Sequence, residues 1–145
     1  MPQGELEPGP AAVAAQLRAR FERVYFGFDR ADINADSRAL LTENAAILAR
    51  YPNVRVEVEG HADHFGTTEY NLALGERRAN AVAKLLANLG VGPAQLKVIS
   101  FGEERATVNA SDRAATARDR RVEFRVFAGT EVAESSYDDG SDPAG

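Results

Sequence analysis

The chain has 145 residues, 44% apolar and 27% charged, which is room for one domain of ordinary globular composition. It has no cysteine, which excludes a disulfide framework, a thiolate metal site, a thiol nucleophile and lipidation on a cysteine of these residues. The net charge of −5 comes from the last residues, where Glu131, Glu134, Asp138, Asp139 and Asp142 meet no base; the remaining body is formally neutral, without the basic footprint that a nucleic-acid partner requires.

Residues 1–10 hold three prolines and two glycines and read as a linker. The first twenty residues carry acids and prolines where a signal peptide has a basic start and an apolar centre. No run approaches the roughly 18 apolar residues that span a bilayer. The expected origin is a cytosolic protein, a processed one, or part of a longer one. Ala11 to Glu22 predicts a short helix, so that residues 1–22 form a linker and helix ahead of a domain at 23–128. Val24 to Phe28, aromatic and β-branched, predicts a strand. Asn34 or Asp36 can cap a helix running to Arg50, with Leu41, Ala45 and Leu48 on its buried stripe.

Val54 to Glu59 alternates strictly, as a strand with one covered face does. After a loop from Gly60 to Thr67, a long helix is expected from Thr68 to Leu89, stopped by Gly90. Leu96 to Phe101 predicts a third strand, Ser111 to Arg118 a short helix, and Val122 to Phe127 a last strand. Residues 129–145 read as an acidic, flexible tail. Helices alternating with strands imply an α/β fold: a βαβαβ(α)β sandwich with a mixed sheet and its helices on one face.

The segment Gly60 to Ala83, GHADHFGTTEYNLALGERRANAVA, departs from scaffold behaviour. Asp63 and Gly66 lie in a tight loop before a helix N-terminus, where free N–H groups and a partial positive charge favour anions. On that helix Asn71, Leu74 and Arg78 stand at i, i+3 and i+7, on one stripe. An acid and an arginine converging on one pocket can hold a zwitterion, with its carboxylate on the guanidinium and its ammonium on the aspartate. The same two residues can equally be solvated or form a local ion pair, and the residues alone leave both readings open.

VEGHADHFGTTEYNLALGERRANAV, preceded by VYFGFDRADI and followed by FGEERA and DRRVEF, resembles the OmpA-like peptidoglycan-binding domains, with four motifs in order over residues 23–127. Within that family the wording is most similar to the peptidoglycan-associated lipoprotein (Pal) branch. The resemblance implies noncatalytic binding of the peptide stem of peptidoglycan through meso-diaminopimelate, in the periplasm and at the outer membrane. Carried over by position, the ligand-holding residues fall on Asp63 and Arg78, with Asn71 and Leu74 lining the pocket. Asp29 is the polar residue after the first strand, and Asp119 and Arg120 belong to the family's closing motif. Asp119 stands where the family has Asn, and Gly27 where many relatives have an acid. The resemblance also implies docking to TolB, the propeller protein of the Tol system, as an alternative, or service as the wall anchor of another envelope protein. It further implies a lipid anchor on an N-terminal cysteine, which this chain does not carry.

Rival chemistries fit poorly. His61-Ala62-Asp63-His64 invites a zinc reading, but the chain has only these two histidines and a catalytic zinc takes about three protein ligands, so neither metal nor cofactor is expected. No serine sits in a G-x-S-x-G turn. Glu57 and Glu59 could pair for glycan cleavage, yet they occupy the outward alternation of a strand, where surface charge is expected. An enzyme is not expected.

Overall fold

In the computed structural model, which describes residues 8–107 and 112–129, the elements run α1 (Pro10–Arg20), β1 (Val24–Tyr25), α2 (Ala35–Arg50), β2 (Val54–His61), α3 (Thr68–Asn88), β3 (Leu96–Gly102) and β4 (Arg121–Ala128). The sheet order is β1-β4-β2-β3, with β4 antiparallel to β1 and β2, and β3 parallel to β2. The expected α/β fold with a mixed sheet is observed, its parallel pair supplied by the crossover through α3. No helix among the described residues is long and apolar enough to cross a membrane.

Local chemistry sets the helix ends. The Asn34 side chain accepts from the Ser37 N–H at 2.8 Å and caps α2, while Thr67 Oγ1 accepts from the Tyr70 N–H at 3.0 Å and caps α3. Gly90, at φ +106°, closes the far end of α3 in the left-handed conformation that side chains disfavour. The helices bury Val13, Leu17, Leu41, Leu48, Val82 and Leu86 in one core with Val54, Val56, Val58, Val122 and Val126 of the sheet. The other face of the sheet carries Glu57, Glu59, Lys97, Glu123 and Arg125 by strand register.

Several expectations change. Helix α1, assigned to a leader ahead of residue 23, belongs to the core: Val13, Ala14 and Leu17 are buried, and Arg18 Nε donates to the Val126 carbonyl at 3.0 Å. The first strand ends at Tyr25 rather than Phe28. Phe26 N–H still donates to the Arg120 carbonyl, but a turn then closes from Gly27 to Arg30 with Asp29 at φ +59°, and the chain leaves the sheet. The expected helix at 111–118 is instead a run of turns ending in a 3₁₀ turn, Ala117–Asp119, and its first residue lies outside the described residues. Most of the expected acidic tail (130–145) and linker residues 1–7 also lie outside them. Glu57 and Glu59 are on the outward face as expected, but both are buried rather than on an ordinary surface.

The crossing of α3 over β2 is the closest approach between layers. A Cβ on Gly60 would stand 1.8 Å from the Gly75 carbonyl oxygen, and one on Gly75 would stand 2.4 Å from Ser100 Oγ. Ser100 Oγ donates to the Leu72 carbonyl at 2.7 Å, pinning β3 to the same stretch of helix. Gly60 cannot gain a methyl group without separating helix from sheet, and a methyl on Gly75 would displace the Ser100 hydroxyl. Gly60→Ala is therefore expected to destabilise the chain by about 2–4 kcal/mol, read as a lowered midpoint in urea unfolding.

Candidate functional site

The crossing brings the end of β2, the first turns of α3 and the turn after β1 around one cavity of about 220 Å³. Its apolar lining is Phe28, Phe65 and Leu74; its polar lining is Asp29, Asp63, Tyr70 and Asn71. Four residues expected from the sequence (Asp29, Asp63, Asn71 and Leu74) are thus brought together. Two of them are carboxylates, and among the described residues no basic side chain lines the cavity with them.

Asp63 is buried at the end of β2. One carboxylate oxygen accepts from the Phe65 N–H at 3.2 Å; the other accepts from Thr116 Oγ1 at 3.3 Å and lies 3.6 Å from Arg120 Nη1. Asn71 donates to the Phe65 carbonyl at 2.9 Å and to Glu103 Oε1 at 2.7 Å, which fixes the loop before α3. Asp29 accepts from the Tyr70 hydroxyl, so the turn after β1 is fastened to the first turn of α3. That contact raises the affinity of Tyr70 for its proton. Arg113 stacks over Phe28 at 3.8 Å, and Phe65 meets Phe28 edge-on with ring centres 6.0 Å apart.

Three expected site residues are placed elsewhere. Arg78 is 0% exposed and absent from the cavity wall. Its guanidinium donates to three backbone carbonyls: Arg30 at 2.7 Å, His61 at 2.9 Å and Gly27 at 3.2 Å. Burial lowers its pKa to about 10, against the opposing charges of Asp63 and Asp29, so it remains a cation at neutral pH. The fork expected to take a ligand carboxylate holds the protein's own backbone in this structure. Arg120 donates to the Phe26 carbonyl at 3.0 Å and the Arg113 carbonyl at 2.7 Å, and it lines a neighbouring groove. Asp119 accepts from both the N–H and the hydroxyl of Thr107, which removes it from the cavity.

Sequence reasoning missed Phe28 and Phe65 as cavity walls, Tyr70 as the clasp on Asp29, and Glu103 as the partner of Asn71. An exposed tyrosine one residue before Asn71 was the available signal; Glu103 gave none, since it arrives from the far end of β3. His61 is 1% exposed and stacks on Phe101, as a packed strand-end residue should. His64 is half-buried and stacks on Phe65.

Arg78→Ala is expected to cost about 3–5 kcal/mol of folding stability, because it strands buried carbonyls and the nearby carboxylates. Arg78→Lys should recover only part of this in the same urea titration, since one ammonium cannot span three separate carbonyls. Burial also lowers the His61 pKa to about 4, from an ordinary 6.5. The unfolded chain then binds the extra proton between those values, so stability present above pH 6.5 falls as pH drops toward 4. The loss expected from this group is about 3 kcal/mol, read from urea midpoints across that range.

The OmpA family matches residues 25–121. The chain is 46% identical over 108 residues to the peptidoglycan-associated lipoprotein of Haemophilus influenzae, covering 74% of this chain and 71% of that protein. It is 44% identical over 117 residues to the protein of the same name from Pseudomonas putida, covering 81% and 69%. The crystal structure of the peptidoglycan-associated lipoprotein from Burkholderia pseudomallei superposes with a TM-score of 0.70 at 38% identity, covering 75% of this chain and 92% of that one. The C-terminal domain of Helicobacter pylori MotB shares the fold, with a TM-score of 0.65 at 24% identity and coverage of 75% and 86%. With the four motifs, the mixed sheet and these relatives in agreement, the chain belongs to the OmpA family.

Proposed function

We propose that this chain is a noncatalytic anchor that binds the peptide stem of peptidoglycan at the cavity before α3, through the zwitterionic end of meso-diaminopimelate. The observation that carries the reading is the pair of carboxylates, Asp29 and Asp63, on an otherwise largely apolar cavity at the N-terminus of a 21-residue helix. An ammonium group suits the two acids, and the methylene chain suits Leu74 and the phenyl rings of Phe28 and Phe65. The ligand carboxylate suits the free N–H groups and positive end of the dipole where α3 begins. Arg78 contributes a positive field from within the core and holds the backbone on which Asp29 and Asp63 stand. Asn71 closes the loop beside them, and Arg120 pairs with Asp63.

The names of the relatives support the wall-binding part of this reading, and the proposed place is the cell envelope, in the periplasm at the outer membrane. Attachment through lipid would require a cysteine, and these 145 residues include none.

Calorimetric titration with a stem peptide containing meso-diaminopimelate, against a lysine-containing stem, tests the proposal. The first should bind and the second should bind much more weakly, because it lacks the extra carboxylate. Asp63→Asn should weaken binding by at least about thirtyfold, as loss of a buried charged partner does. Asp29→Asn, on an exposed turn, should weaken it with little change in unfolding midpoint. Wild-type affinity in both variants would place the ligand elsewhere. Failure of both stems to bind would shift the function toward protein docking, with TolB the partner to test.

A further inference from the structure

A second cluster lies on the opposite side of β2 from α3. Glu59 and Glu123 are direct partners in the β2–β4 pairing. Like charges facing one another across an antiparallel pair repel, and Arg23 and Arg121 already pair with Glu123. Both ring nitrogens of His61, whose backbone carbonyl accepts from Arg78, are buried without a hydrogen-bond partner. A neutral imidazole has one donor and one acceptor to satisfy, and Phe101 stacked on the ring at 5.3 Å supplies neither. One ligand atom from each of Glu59, His61 and Glu123 lies within 4.8 Å of the others.

We propose that Glu59, His61 and Glu123 form a site for one divalent transition cation of the zinc type. One imidazole nitrogen with two carboxylate oxygens is a donor set that such ions accept, whereas calcium and magnesium seek all-oxygen shells of six or more. The cation partners the orphaned imidazole and offsets the repulsion of the facing glutamates in one step. Three protein ligands leave a fourth position for water.

The surrounding bases are compatible with this geometry. Arg121 and Arg23 both engage Oε2 of Glu123, Arg23 at 3.4 Å, and steady the carboxylate from outside as the supporting donors of metal ligands do. Arg105 lies over Phe101 at 3.8 Å. These three arginines oppose entry of a cation, and the two glutamates offset them. Glu123, with a side chain 26% exposed, provides the approach from solvent. The site is distinct from the zinc reading of the HADH run, which the structure does not support: His64 stacks on Phe65 and Asp63 faces Arg120. It departs from the expectation that no metal would bind.

Zinc titration of the untagged full chain by calorimetry, with cobalt as the absorbing substitute, tests the site. One equivalent should bind, and Glu123→Gln should weaken binding by about a hundredfold, while His64→Ala should leave it unchanged. Circular dichroism of each variant confirms that it is folded. Independently of any variant, zinc should shift the ring resonances of His61 and not those of His64, the two histidines of the chain. No stoichiometric binding, binding indifferent to Glu123→Gln, or a response at His64 alone would each overturn the proposal.

Discussion

The buried guanidinium of Arg78 is the constraint around which this fold is arranged. A cation with no exposed surface must be surrounded by oxygen, and Arg78 meets that demand with the carbonyls of Gly27, Arg30 and His61. Those carbonyls come from two segments far apart in the chain: the turn after β1 and the end of β2. One side chain on α3 therefore fixes the positions of both. Asp29 follows Gly27 by two residues and Asp63 follows His61 by two, so the same contacts set the separation of the two acids across the cavity. Arg78 thereby organises the walls of the cavity.

Its reach depends on how closely α3 lies against β2. Gly60 and Gly75 let the helix backbone contact the strand backbone, which brings Arg78 within hydrogen-bonding distance of His61. A side chain at Gly60 would lift the helix and lengthen those bonds together. The strand then serves two faces. Gly60 and the valines of β2 pack against the helices, while Glu59 and His61 turn to the other face and meet Glu123 of β4. The cavity and the proposed cation site are consequently built on the same few residues of β2, back to back across one layer of sheet.

Much of this architecture was legible in the order of residues. Helix α2 announced itself by its apolar stripe, α3 by its stop at Gly90, and β2 by its alternation, because periodicity and backbone freedom are local properties. Asp29, Asp63, Asn71 and Leu74 were legible through motifs whose residues prove to line one cavity. Strand β1 was misread past Tyr25 because its aromatic run has strand propensity, while the chain is pulled into a turn by Arg78, fifty residues away. Helix α1 was set apart from the domain because nothing in PAAVAAQLRAR states that Val13 and Leu17 will meet β4. Arg78 was read as a ligand fork because its helical position shows which face it occupies but not how deeply that face is buried.

The sequence by itself determined the alternation of strands and helices, the caps of α2 and α3, the glycine stop, and the family-like run that leads from β2 into α3. These follow from interactions between residues within a turn or two of each other. Only the tertiary structure decided that Arg78 would serve the backbone, that Tyr70 would fasten Asp29, that Glu103 would hold Asn71, and that Glu59 would face Glu123 beside an unpartnered histidine. Each of these is a pairing between distant segments, fixed by strand register and by the depth at which a helix lies on its sheet. A charged side chain in a sequence has many available partners; burial removes water from that set, and the fold selects among those that remain.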